Sequence, residues 1–148
     1  MSERRPAAIA VVEDNPADIF LLQYALREHD VPYAFTVLSN GQEAMEYLDR
    51  IEKEAGEKPD LLIVDLNLPV YSGLELLARI RSSPELQTIK VAILTTSEAA
   101  TDEVEADALG AQLYLRKPTN LDDFVRLGGP LRRTIYGDDS SQIDSHER

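Results

Sequence analysis

The sequence predicts an α/β protein: a doubly wound, five-stranded parallel sheet in the order 2-1-3-4-5, with helices on both faces. Three observations predict it. Short apolar runs alternate five times with amphipathic segments, the pattern of parallel strands joined by crossover helices. The connections are short, and right-handed crossovers with both faces covered leave few topologies. The apolar runs also end in charged or hydroxyl residues, and an open sheet of this kind builds its sites at the carboxyl ends of its strands.

The elements follow in order. "AAIAVV" (7–12) is an apolar run bounded by charge and reads as a buried strand. In "EDNPADIFLLQYALREHD", Asn15 is an N-cap with Pro16 at the first helical position, and Ile19, Leu22 and Leu26 recur near helical spacing with Phe20 alongside. "YAFTVL" (33–38) is a second strand. "SNGQEAMEYLDRIEKEAG" (39–56) sets Ala44, Met45, Leu48 and Ile51 on one helical stripe and stops at Gly56. "DLLIVDLNLP" carries the third strand, and "SGLELLARIRSSP" (72–84) a helix with Leu74, Leu77 and Ile80 inward, stopped by Pro84. "IKVAILTTS" (89–97) is the fourth strand. The helix "EAATDEVEADALGA" (98–111) holds five acidic residues and few apolar ones, so it is expected to pack loosely. "QLYLRKP" (112–118) is the fifth strand, and 119–137 a last helix. Within that helix "LGGP" (127–130) is a fault. Proline in a helix interior costs about 3 kcal/mol and each glycine up to about 1, so a break or kink is expected near Gly128–Pro130. Residues 1–7 read as a lead-in, 8–136 as one domain and 137–148 as a polar, disordered tail.

Composition narrows the function. The chain has 148 residues, 43% hydrophobic and 28% charged, ordinary for a globular domain with a sizeable core. It has no cysteine, which excludes disulfides and thiolate metal sites. No apolar run approaches the roughly 20 residues a membrane span needs, and the first residues make a poor signal peptide. A cytoplasmic protein without membrane partners is expected. Net charge is −12, from 15 Lys and Arg against 27 Asp and Glu. Nucleic-acid binding needs a basic face, so none is expected.

The chemistry lies at the strand ends. In "LIVDLNLP" (62–69) a carboxylate, Asp65, follows a run that belongs in a sheet interior. Such a group is costly to bury unless it is paired, bound to metal or placed at a crevice. Strand 1 ends in Glu13-Asp14, strand 4 in Thr95-Thr96-Ser97 and strand 5 in Lys117-Pro118. One edge thus receives three carboxylates, hydroxyls and an ammonium. Taken singly each has a bland reading: helix-dipole partners for Glu13 and Asp14, a loop cap for Asp65, strand formers for the threonines, a solvated lysine for Lys117. Taken together they suit Mg²⁺, a hard cation that takes oxygen ligands. With Lys117 the site would accept a dianionic group, a carboxylate would act as nucleophile, and Thr95 would hydrogen-bond a phosphoryl oxygen.

"VVEDN" (11–15), "LLIVDLNLPVYSG" (61–73), "AILTTSEA" (92–99) and "YLRKP" (114–118), in this order and spacing, resemble the receiver domain of two-component response regulators, the CheY-like family with a flavodoxin-like fold. The resemblance covers residues 8 to about 136. It implies that Asp65 is the phosphoacceptor. Asp14 and Asp65 would be Mg²⁺ ligands with the main-chain carbonyl of Asn67, and Glu13 would act indirectly. Thr95 would be the switch hydroxyl, Tyr114 the switch aromatic, and Lys117 the phosphoryl partner, with a cis bond to Pro118. The donor would be a phosphohistidine on a histidine kinase or on a phosphotransfer protein. The face of helix 4, strand 5 and helix 5 would change shape, bind a downstream protein and offer a homodimer surface, though the fault at "LGGP" puts the usual dimer geometry in question. Only residues 138–148 follow, so a stand-alone receiver is expected. "EDNPADIFLLQYALRE" and "DLNLPVYSG" further resemble single-domain regulators partnered with phytochrome-type histidine kinases.

One departure is Thr96, where a small Ala or Gly is common; its bulk would hinder water and slow phosphoryl loss. Other readings stay open. A haloacid dehalogenase-type phosphatase also uses an Asp after a strand, but it wants a second Asp two residues on, where this chain has Asn67. A degenerate receiver would bind partners without phosphorylation. A flavin protein would need a phosphate-cradling loop where this chain has the acidic "EDNPAD".

Overall fold

A computed structural model describes residues 5–54 and 56–137. The tail from 138 on, residues 1–4 of the lead-in and Ala55 lie outside the described residues. Five parallel strands form one sheet in the order β2-β1-β3-β4-β5: β1 Ala7–Val12, β2 Tyr33–Leu38, β3 Leu61–Val64, β4 Val91–Thr95 and β5 Leu113–Arg116. The helices are α1 Pro16–Glu28, α2 Gly41–Glu54, α3 Gly73–Arg81, α4 Ala100–Ala108, α5 Leu121–Arg126 and α6 Gly128–Tyr136.

The period-2 alternation of strand side chains divides the core in two. Ala10, Val12, Leu62, Val64, Val91 and Ile93 face α2, α3 and α4, where Leu48, Ile51, Leu77 and Ile80 are buried. Ile9, Val11, Leu61, Ile63, Ala92 and Leu94 face the other way, against Leu22 and Leu26 of α1, Phe124 of α5 and Leu131 of α6. Each such leucine contributes about 2 kcal/mol by leaving water. On α1 the inward stripe is Leu22, Ala25 and Leu26, while Phe20 faces solvent. On α3 Leu76 joins Leu77 and Ile80 inside, and Leu74 is only half-buried. Helix α4 buries Ala106 alone and leaves Val104 exposed, as its composition foretold.

The helix ends follow from local chemistry. Asn15 caps α1 by accepting from the Ala17 N–H at 2.9 Å, with Pro16 at the first turn. Ser72 and Glu75 form a reciprocal capping box at α3. The expected fault in the last helix falls at Leu127, between α5 and α6. Breaking there makes Pro130 the third residue of a new helix, where its missing N–H has no partner to lose. Gly128 serves a second purpose. A Cβ on it would lie 2.6 Å from the Ala25 carbonyl oxygen and against the His29 ring. His29, just past α1, donates from Nε2 to the Val125 carbonyl at 3.0 Å. Gly128 therefore lets α6 close onto α1.

Gly128→Ala is expected to lose about 1–3 kcal/mol, because the obstacle includes backbone that cannot move aside. Gly129→Ala, whose nearest neighbour is 3.7 Å away, should be neutral or stabilise by up to about 1 kcal/mol through helix propensity. Urea unfolding of the two variants checks this contrast.

Candidate functional site

The β1–β3 pairing sets Val12 beside Val64, so the next residues, Glu13 and Asp65, leave the sheet side by side. Strand β4 ends beside them at Thr95, and β5 passes Arg116 opposite Thr95 before Lys117 turns in, its N–H donating to the Thr95 carbonyl at 2.8 Å. Four sequence-predicted groups thus meet at the carboxyl edge. Glu13 is 3% exposed, Asp65 7% and Thr95 0%.

Lys117 is the hub. Its Nζ donates to Glu13 Oε1 at 2.9 Å, to Asp65 Oδ2 at 3.0 Å and to Asp18 Oδ2 at 2.7 Å. Asp18 was not expected. It stands in the first turn of α1, and the signal for it was the acidic run "EDNPAD", weighed above for Glu13 and Asp14 and against a flavin site but not for Asp18. The other oxygens are also held. Asp65 Oδ1 accepts from the Asn67 N–H at 3.0 Å, a local turn that ends β3. Glu13 Oε2 accepts from the Asn15 N–H at 3.1 Å. The Asn67 side chain donates to Thr95 Oγ1 at 3.2 Å and to Thr96 Oγ1 at 3.4 Å. Gly73 comes so close beneath the Asp65 carbonyl oxygen that a Cβ would lie 2.6 Å from it.

The electrostatics are lopsided. Burial pushes the Glu13 carboxyl above its ordinary pKa; Lys117 counters this only in part, and the Asp65 charge adds to it. Burial also works against the Lys117 charge, yet hydrogen bonds to Asp18, Glu13 and Asp65 outweigh it and raise the ammonium's pKa above that of a free lysine. Both values are raised, which favours the charged ammonium and disfavours the charged carboxylate: burial costs Glu13 more than its share of Lys117 returns. Lys117 stays charged, and Glu13 receives only a share of it.

The remaining predicted residues sit around this hub. Asp14 is exposed at the rim, and Tyr114 on β5 is half-buried with its hydroxyl enclosed. The Lys117–Pro118 bond corrects the expectation: among the described residues no peptide is cis. The trans form of an X–Pro bond is favoured by about 0.5–1 kcal/mol, and Lys117 reaches all three carboxylates from it. In the loop after Asp65, Val70 has φ +73 and is 81% exposed, a left-handed conformation that a β-branched residue rarely takes.

For a divalent cation, the donors available are Asp14, Asp65 and the Asn67 carbonyl, all oxygen, which is the chemistry Mg²⁺ takes. Among the described residues no three His, Cys, Asp or Glu side chains are placed to hold a metal ion. Two carboxylates and a carbonyl do not need a third, and Glu13 is engaged with Lys117. The donor set fits.

An acidic crevice at the carboxyl edge of a 2-1-3-4-5 sheet, centred on a lysine and an aspartate, defines a class. Residues 9–127 match the response regulator receiver domain family, and the chain belongs to it. It is a two-component signalling module of CheY-like fold. Among its relatives, the response regulator Rcp1 of Synechocystis sp. is 37% identical over 123 residues, 82% of this chain and 84% of that protein. The structure resembles that of the phosphorylated cyanobacterial phytochrome response regulator RcpA, with a TM-score of 0.80 and 35% identity over 92% of this chain and 98% of that one. It also resembles the Mn²⁺-bound form of Rcp1, with a TM-score of 0.79 and 33% identity over 91% of this chain and 98% of that one. No helix among the described residues is long and apolar enough to cross a membrane.

Glu13→Gln is expected to stabilise the fold at neutral pH. The raised pKa of Glu13 means the folded state holds its proton more tightly than the unfolded state, so stability falls as pH rises between the unfolded and folded values. The advantage of the Gln variant should therefore be full above that window and vanish as pH falls through it to the ordinary carboxylate range. Urea titrations of both proteins across acid and neutral pH measure the difference.

Proposed function

We propose that Asp65 accepts a phosphoryl group from a phosphohistidine, in a phosphorelay fed by a histidine kinase or a phosphotransfer protein. The observation that carries this reading is the Lys117 ammonium, held 3.0 Å from Asp65 Oδ2 among three carboxylates. A carboxylate oxygen of Asp65 attacks phosphorus, the P–N bond breaks as the P–O bond forms, and the imidazole leaves with a proton. Lys117 follows the new charge, giving up the Asp65 oxygen for a phosphoryl oxygen. Thr95 turns its hydroxyl to another, and Tyr114 moves into the space vacated. Mg²⁺, held by Asp14, Asp65 and the Asn67 carbonyl with Glu13 acting indirectly, supplies charge neutralisation when bound. Hydrolysis of the aspartyl phosphate by water resets the switch, and Thr96 at the rim slows that water.

The phytochrome association of RcpA supports a phytochrome-type histidine kinase as donor. The face of α4, β5 and α5 is the output surface, for a downstream protein or a second copy of the chain. A cavity of about 530 Å³ opens there, lined in part by Val104, Leu113 and Tyr114, and a loosely held α4 is the element best able to change shape.

Incubation with Mg²⁺ and acetyl phosphate should give a single phosphoryl adduct by intact mass. The adduct should be lost in Asp65→Asn and with a chelator. An adduct that survives Asp65→Asn would overturn the assignment. No adduct from either acetyl phosphate or a phosphorylated kinase would make the chain a binding module. Thr96→Ala should lose its phosphoryl group several-fold faster than wild type, measured by the decay of the same adduct.

A further inference from the structure

A second set of hydrogen bonds runs from the pocket to α4. Thr95 Oγ1 accepts twice, from Asn67 Nδ2 and, at 3.1 Å, from the Ser97 N–H. Ser97 Oγ then donates to Asp102 Oδ2, in the first turn of α4. The same Oγ accepts from the Ala99 N–H at 3.3 Å. Ala99, the residue that precedes α4, makes no capping bond with its own side chain, so Ser97 is what ties this helix start to the end of β4. Beside this cluster lies an unsatisfied group. The Tyr114 hydroxyl is buried with no hydrogen-bond partner among the described residues. A buried hydroxyl without a partner costs about 1–3 kcal/mol. Burial raises the Tyr114 pKa first, and the charges of Asp102 and Glu103 raise it further, so both carboxylates lie near enough to act on the phenol. The Ser97 hydroxyl is near it too, but that oxygen already accepts from the Ala99 N–H while its hydrogen goes to Asp102, and it makes no hydrogen bond to the phenol.

We propose that Ser97 and Asp102 are positioning residues: they tether the start of α4 to the Thr95 hydroxyl, and Asp102 is the acceptor that Tyr114 takes when the tether opens. This rests on the reading of Asp65 as phosphoacceptor. When Thr95 turns to a phosphoryl oxygen, Oγ1 gives up its bonds from Asn67 and from the Ser97 N–H. The Ser97 segment is released, and its hydroxyl leaves Asp102. Asp102 then needs a donor, and the enclosed Tyr114 O–H needs an acceptor. Their pairing satisfies both and draws α4 towards β5. The helix can follow because Ala106 is its one buried residue.

Fluorine NMR of protein carrying 3-fluorotyrosine tests this, with Tyr114→Phe identifying the Tyr114 signal among the six tyrosines. In Ser97→Ala, with folding checked by circular dichroism, the unphosphorylated protein should already show the Tyr114 signal moved towards its phosphorylated position. In Asp102→Ala the adduct should form to the wild-type extent by intact mass, while the Tyr114 shift on phosphorylation falls to less than half. A Ser97→Ala signal that stays at the wild-type resting position, with only stability lost, would reduce Ser97 to a helix cap and overturn the proposal. So would a full Tyr114 shift in phosphorylated Asp102→Ala. Failure of wild type to form any adduct would sink the reading of Asp65 instead; whether the resting Tyr114 signal moves at all in Ser97→Ala, or stays at the wild-type position, needs no phosphoryl group and would still decide the tether.

Discussion

One ammonium shared by three carboxylates is the interaction on which the pocket depends. Lys117 collects Glu13 from the end of β1, Asp65 from the end of β3 and Asp18 from α1. No two of these are close in the chain except Glu13 and Asp18, so only the 2-1-3-4-5 order brings them together. The arrangement is held under tension. Removing the one cation, Lys117, would cost about 3–5 kcal/mol, because three buried carboxylates would lose their compensation, whereas neutralising one acid relieves the excess. Yet the complete cluster still sets three carboxylates against one ammonium, and burial first, then the Asp65 charge, raises the pKa of Glu13. A resting state of this kind keeps Asp65 oriented and leaves three carboxylates to share one positive charge.

The two faces of the sheet are built to different standards. On one, α1, α5 and α6 interlock through His29 and Gly128, and Phe124 and Leu131 complete the core. On the other, α2 and α3 are well anchored, joined by Arg79, which reaches Asp49 and Glu52. Helix α4 is not anchored in that way. Its C-terminal end is steadied from below by Arg81, which donates to the carbonyls of Leu109 and Gly110. Its N-terminal end rests on Ser97 and Asp102. A helix pinned at its far end and lightly held near the pocket pivots more readily than it slides, and regions with few buried apolar contacts open first.

Most of the fold was legible because it rests on periodicity. Strands with alternate residues buried on two faces read as continuous apolar runs, and all five were found at their places. Element ends were less legible, since they depend on bonds such as the turn at Asn67 that stops β3 at Val64. The break in the last helix was expected near Gly128–Pro130 and lies at Leu127, because a proline is harmless only within the first turn. The strand-end groups were legible as a set. Asp18 was not, since a helix-start acid looks the same whether it faces water or a lysine. The Ser97–Asp102 bond had no sequence signal beyond a serine after two threonines. The trans Lys117–Pro118 bond could not be read from a Lys-Pro pair at all.

The interlock of α1 with α5 and α6 also bears on how the chain is made. Helix α1 emerges from the ribosome well before the surfaces that cover Leu22 and Leu26 beyond the sheet, Phe124 and Leu131, which are about a hundred residues downstream. Strand β1 likewise waits for β3 before it is paired on both sides. The nascent chain therefore carries an apolar helix face in the open while those intervening residues are made, the condition under which partly folded chains associate wrongly. Its large excess of acidic charge keeps such chains apart during that interval.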